Sequence, residues 1–182
     1  YSISSMIKIA ELNNLFVINV FYPDIHGVSY LFELSKKREK GNILIEYNTE
    51  KNLNRFNLKL YENYRTNCLS TKNIVNEKIK QFKKLNKKIL GFGAAAKATV
   101  FINFCDIKLD YIIDENTKKQ NLLVPGTNII VKSFQELLLE NEDVIVIIFA
   151  WNYTKEITQK LRSNRPNNKD LIVAFYPKYI EC

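Results

Sequence analysis

Apolar and polar positions divide this chain into a patchy first half and a regular second half. From Lys88 onward, short apolar runs alternate with stretches whose apolar residues return every three or four positions. The runs predict strands ending at Ile89–Leu90 and covering 109–113, 128–131, 144–149 and 171–175. The stretches between them predict helices over 94–105, 133–140 and 153–164. Strands alternating with helices imply right-handed crossovers, so the expected fold is α/β, a Rossmann-like parallel sheet with helices on both faces.

The first half gives weaker signals. Ser4 or Ser5 can cap a helix over 4–14, with Met6, Ile9, Ala10 and Leu12 as its apolar stripe. Residues 15–22 and 29–34 then read as strands around a turn at Pro23–Gly27. One helix and two strands cannot bury both sheet faces, so this looks like a partial α/β segment. A charged connector follows. Leu53, Phe56, Leu60 and Tyr64 recur at helical spacing, and a second helix is expected over 71–86, with Ile74, Val75, Ile79, Phe82 and Leu85 on one face. The opposite face carries Lys78, Lys80, Lys83, Lys84 and Lys87, which reads as an ordinary solvated face or, in the functional alternative, as one whose C-terminal end adds positive potential near a phosphate bound at the next turn. The expected domains are 1–40, a helical linker 41–87, and 88–182.

Composition narrows the setting. The 182 residues are 46% hydrophobic and 25% charged, as in a globular protein, with a net charge of +8. The basic residues are scattered and Arg is scarce, which fits compositional drift plus a preference for anionic ligands better than a nucleic-acid footprint. Cys68, Cys105 and Cys182 are far apart and the chain has one His, so neither a disulfide framework nor a metal site is expected and a reducing cytoplasm suits it. The longest apolar run, Val144 to Trp151, is too short to span a bilayer, and no membrane partner is expected.

The candidate chemistry sits at the carboxyl ends of the predicted strands, where open α/β sheets bind ligands. Gly91 and Gly93, then Ala94, Ala95, Ala96 and Lys97, place glycines and a helix N-terminus directly after a strand. Glycines let a phosphate approach the backbone, and the first helical N–H groups lack internal partners. Close strand–helix packing is the other reading of the same glycines. Lys97 in the first turn opposes the helix dipole unless an anion lies there. Asp114 stands about twenty residues on, where a nucleotide-binding unit reads ribose; it serves equally as a turn cap. Trp151 and Tyr153 offer flat surfaces and Asn152 a donor and an acceptor. His26, in the turn between the first two strands, is a loop residue or a ligand contact.

Taken in order, Gly91-Phe-Gly-Ala-Ala-Ala-Lys97, Asn103-Phe-Cys105, Tyr111-Ile-Ile-Asp-Glu-Asn116, Lys119-Gln120, Pro125-Gly-Thr127 and Ala150-Trp-Asn-Tyr153 closely resemble the C-terminal domain of the bacterial nucleotide-sugar C-methyltransferases. The resemblance spans roughly 70–175, and residues 1–35 resemble the family's preceding segment: Tyr1–Met6 the start of the last helix of the S-adenosylmethionine-binding domain, and His26–Ser29 its His-Gly-Gly-Ser turn. It implies S-adenosylmethionine as cofactor of the full enzyme. It also implies a nucleotide sugar, of dTDP type, as substrate, with a base removing the proton beside the sugar ketone and the carbanion attacking the methyl group. The family's Glu-His pair, its cofactor loop and its cysteine-rich metal site match nothing here, so the chain alone should not methylate. What it implies for these residues is a substrate-holding half, with the Gly91–Lys97 turn on the diphosphate, Trp151, Asn152 or Tyr153 on sugar or nucleotide, and His26 from the opposite wall. The implied partner is an N-terminal methyltransferase domain or a separate catalytic subunit. Val28 and Ala98 replace glycines usual in the family, and Phe175-Tyr-Pro177 departs from its proline-rich ending. A stand-alone nucleotide-sugar-binding module and a small NAD-dependent oxidoreductase are the alternatives; Ala96 and the lack of a Tyr-x-x-x-Lys pattern speak against the second.

Overall fold

A computed structural model describes residues 1–23, 29–53 and 57–182. The chain forms two compact units, Tyr1–Thr66 and Asn67–Cys182.

In the first unit, α1 (Ile3–Leu12) precedes β1 (Phe16–Phe21) and β2 (Leu31–Ser35), which pair antiparallel, and α2 (Ile43–Asn52) follows. Ile3, Ala10, Val17 and Val20 are buried together, with Met6, Tyr30, Phe32 and Tyr47 around them. Two polar devices hold this small core. The buried Glu50 carboxylate accepts hydrogen bonds from the amides of Ile3 at 2.6 Å and Ser4 at 2.9 Å, satisfying the first turn of α1 from another helix. The Asn42 side chain accepts from the Val20 amide and donates to its carbonyl, both at 2.8 Å, so it occupies the edge of β1 as a neighbouring strand would. The turn expected at Pro23–Gly27 lies mostly outside the described residues.

α3 (Leu58–Lys83) is one helix of 26 residues where the spacing predicted two separate ones. Residues 57–67 are exposed on every side, so no buried stripe marks that half; Val75, Ile79 and Phe82 supply the stripe later. Phe56 lies outside the described residues. α2 escaped the pattern altogether, because its one fully buried residue is a glutamate.

The second unit alternates as expected: β3 (Ile89–Phe92), α4 (Ala96–Cys105), β4 (Tyr111–Ile113), β5 (Val131–Lys132), α5 (Phe134–Leu138), β6 (Ile145–Ile148), a 3₁₀ turn (Trp151–Tyr153), α6 (Thr154–Asn164), β7 (Leu171–Ala174) and β8 (Ile180–Glu181). The sheet order is β5-β4-β3-β6-β7-β8, parallel except for β8. Two corrections follow. The strand expected at 128–131 is displaced to Val131–Lys132, because the Pro125–Thr127 turn folds Ile129 and Ile130 back on Val124 and Leu123. The two-residue edge strand β8 gave no signal.

β3, β6 and β7 are buried along nearly their whole length, as parallel strands covered on both faces must be. α3 and α4 cover one face, through Val75, Phe82, Ala98 and Ile102 against Ile112, Ile147 and Val173. α5 and α6 cover the other, through Leu137, Ile157 and Leu161 against Leu90, Val146 and Ile172. Buried Arg165 fixes the end of α5: it pairs with Asp170 at 2.7 Å and donates to the carbonyls of Leu137 and Glu142. The chain leaves β3 toward β4 on one side and returns to β6 on the other, so a crevice opens between the carboxyl ends of β3 and β6. Among the described residues no helix is long and apolar enough to cross a membrane.

Candidate functional site

The crevice is floored by Gly93 and Ala150. Gly93 has φ +96°, and a Cβ there would come within 2.8 Å of the Ala150 Cβ, so both backbone conformation and the approach of β6 demand glycine. Its amide donates to the Ile113 carbonyl at 2.7 Å, and its carbonyl accepts from the Ala95 amide at 2.9 Å. Gly91 serves differently. It lies inside β3, which runs two residues further than its sequence predicts, and a Cβ would meet Ile112, Leu109 and Phe149 at 2.8–2.9 Å. The missing side chain at Gly91 admits packing from the α4 face, and the turn itself begins at Gly93.

The helix that follows is open at its start. Ala95 occupies the N-cap position and provides no side-chain hydrogen bond, which leaves the first-turn amides of Ala96, Lys97 and Ala98 without a cap. Small side chains at 94–96 keep the approach clear. Lys97 adds a cation to this turn, where the dipole already concentrates positive potential. Among the described residues no carboxylate lies within ion-pair distance of it; its ammonium instead sits 4.8 Å from the centre of the Trp151 ring.

Trp151 opens the 3₁₀ turn after β6. Phe101 of α4 meets its edge at 6.0 Å, and Tyr176 lies against it with centroids 4.7 Å apart and planes 37° from parallel. The indole is therefore part of an aromatic cluster on the α4 side of the crevice. Asn152 and Tyr153 are exposed, Tyr153 by 54%.

Asp114 is a structural knot. Its carboxylate accepts from the Asn116 amide and from the Lys119 ammonium, both at 2.9 Å, while Gln120 donates to its carbonyl. Lys119 also donates to the Ala94 carbonyl at 3.0 Å, so it ties the loop after β4 to the turn after β3. That cross-tie was not foreseen from the sequence, although Lys119-Gln120 belongs to the recognised motif. The motif at Asn103 and Pro125–Thr127 has a comparable origin: the Asn103 amide donates to the Pro125 carbonyl at 2.9 Å, and Gly126, with φ +77°, leaves room for Asn103.

The candidate residues thus fall on two sides of the Gly93 turn. Lys97, Trp151 and Tyr176 form one side. A cleft of about 330 Å³ on the α6 side gathers Asp114, Glu115, Tyr153, Glu156 and Lys160 around Gly93 and Ala150. Lys160 pairs with Glu115 and lies over the Phe134 ring, so that side keeps a net negative lining. An anion is favoured on the lysine side and repelled on the other. His26 lies outside the described residues, and no group of three or more His, Cys, Asp and Glu side chains fit to hold a metal occurs among the described ones.

The family model described as the C-methyltransferase C-terminal domain matches residues 25–175, most of the chain. No curated protein matches it.

Proposed function

The chain belongs to the C-methyltransferase C-terminal domain family, and from that premise we propose that it is the substrate-holding part of an S-adenosylmethionine-dependent enzyme that methylates a ring carbon of a nucleotide-activated keto-deoxysugar of dTDP type. The observation that carries this reading is Lys97: a cation in the open first turn of a helix, with no carboxylate within ion-pair distance among the described residues and held on an indole ring. A diphosphate satisfies both the ammonium and the uncapped amides of Ala96, Lys97 and Ala98. On this reading Gly93 and Ala94 admit the phosphates, and Trp151 or Asn152 contacts the sugar or the nucleoside, while Tyr153 lines the cleft on the α6 side, away from Lys97. Gly91 and Asp114 act from behind, by packing and by fixing the loop. The enzyme works in the cytoplasm, in deoxysugar biosynthesis.

The family's glycine-rich cofactor loop and Glu-His pair match nothing in this sequence. In the first unit a Cβ on Gly41 would collide with the Ile18 carbonyl oxygen, so that glycine is explained by a close approach of backbone. We therefore place cofactor and proton abstraction on a methyltransferase domain or subunit that works with this chain, and no chemical step is derived for these residues.

Amide exchange tests the reading. Adding dTDP should slow exchange at Ala96, Lys97 and Ala98 and leave the exposed amides of α6 unchanged. Protection spread evenly over the chain, or none, would contradict it.

A further inference from the structure

Trp151 presents less free surface than its place in the sequence promises. Phe101 meets its edge, the Lys97 ammonium sits over its ring, and Tyr176 leans against it. The aromatic surface left open on this side of the crevice belongs to Tyr176, which is 52% exposed. We propose that Tyr176 is the stacking surface for the planar base of the bound nucleotide, with Trp151 as its support. This deepens the reading above and rests on it.

Position comes first. Ala174 pairs in register with Ile148, so Tyr176 and Trp151 both leave the sheet at its carboxyl end, beside the Gly93 turn. Rigidity comes second. Phe175 is buried, stacks on Phe101 at 6.4 Å and meets Tyr179 at 5.4 Å, while Lys78 lies over Tyr179 at 4.2 Å. The backbone on both sides of Tyr176 is therefore anchored, and the ring is held outward on the indole without a hydrogen bond to its hydroxyl among the described residues. An aromatic ring that is fixed in advance loses little entropy when a base stacks on it. Charge comes third. Lys97 and Tyr176 touch the same indole, so a base on the tyrosine keeps its phosphates within a nucleotide's reach of the ammonium. The acidic cleft on the far side of Gly93 offers a diphosphate no such counter-charge.

Trp151 is the chain's one tryptophan, which makes its emission a reporter of this cluster alone. The experiment titrates the whole chain and its Tyr176→Phe, Tyr176→Leu and Tyr176→Ala variants with dTDP and with inorganic pyrophosphate, following tryptophan fluorescence, with thermal melts to verify folding. Tyr176→Phe should bind dTDP as the parent does. Tyr176→Leu, which keeps apolar cover on Trp151 but cannot stack, and Tyr176→Ala should weaken dTDP about 5- to 100-fold, the usual range for one base on one ring. Pyrophosphate should bind all four alike. Undiminished dTDP binding by Tyr176→Leu, or equal losses for dTDP and pyrophosphate, would overturn the assignment and leave the diphosphate site standing. A parent chain that bound neither compound would remove the function proposed above, and this inference with it.

Discussion

Lys97 and Trp151 come from different crossovers of the sheet, yet the ammonium of one lies 4.8 Å from the ring centre of the other. Lys97 begins the helix after β3, and Trp151 begins the turn after β6. They meet because β3 and β6 are adjacent strands at the point where the winding reverses, and because Gly93 and Ala150 carry no bulk between them. A lone cation thereby gains a ring to rest on while its charge stays available to an anion.

The glycines of the turn answer to different physics, and substitution should separate them. Gly93→Ala meets a left-handed backbone, costing about 1–2 kcal/mol, and a collision with Ala150 that adds about 1–3 kcal/mol. Gly91→Ala meets only crowding from Ile112, Leu109 and Phe149, of about 1–3 kcal/mol. Urea denaturation should show both variants destabilised and Gly93→Ala the more so. A Gly93→Ala protein as stable as the parent would mean that the turn adopts another conformation.

Asp114 should behave as a loop fastener. Asp114→Asn keeps an acceptor for the Asn116 amide and should change nucleotide affinity less than tenfold, whereas Asp114→Ala and Lys119→Met free the loop and should lower it more. The Lys119–Asp114 pair is partly exposed, so its loss should cost the fold only about 0.5–1 kcal/mol. Equal and complete loss of binding in Asp114→Asn and Asp114→Ala, measured by calorimetry, would instead make the carboxylate a direct ligand contact.

These two cases show what the sequence could reveal. The uninterrupted apolar run at 144–149 and the glycine-rich start of α4 have local signatures, so the buried strand and the turn beside it were readable in advance. Lys119 reaching the Ala94 carbonyl, Glu50 capping α1 from α2, and Tyr176 closing on Trp151 are contacts between residues 25 or more positions apart. No periodicity encodes them; they exist only after the strands are in register. The continuity of α3 was hidden for the opposite reason: helical spacing at Leu60 and Tyr64 signalled a helix, but its first half buries nothing, so no packed face linked it to the stripe at Val75, Ile79 and Phe82.

Alkaline pH should weaken the second unit through Cys105. Burial pushes its thiol up to about 11 from an ordinary value of 9.0. The folded state therefore holds this proton after the unfolded chain has released it. Its contribution is intact below pH 9 and is lost as pH rises toward 11, by about 1.4 kcal/mol per unit within that window. Tyrosines with raised values join in above pH 10, so the interval from 9 to 10 isolates the thiol. Denaturant midpoints should fall across that interval in the parent and stay flatter in Cys105→Ala; identical slopes would show that the thiol does not control this limb.

The central claim, that the open turn at Lys97 holds the diphosphate of a nucleotide sugar, is tested most directly by calorimetric titration of the whole chain and of Lys97→Ala with dTDP, a dTDP-hexose and NAD. The account predicts that both thymidine nucleotides bind, that NAD does not compete, and that removing the lysine weakens binding by about 1.5–3 kcal/mol, the size of a charge-assisted hydrogen bond. Binding of NAD in their place, or dTDP binding that is unchanged without Lys97, would contradict it.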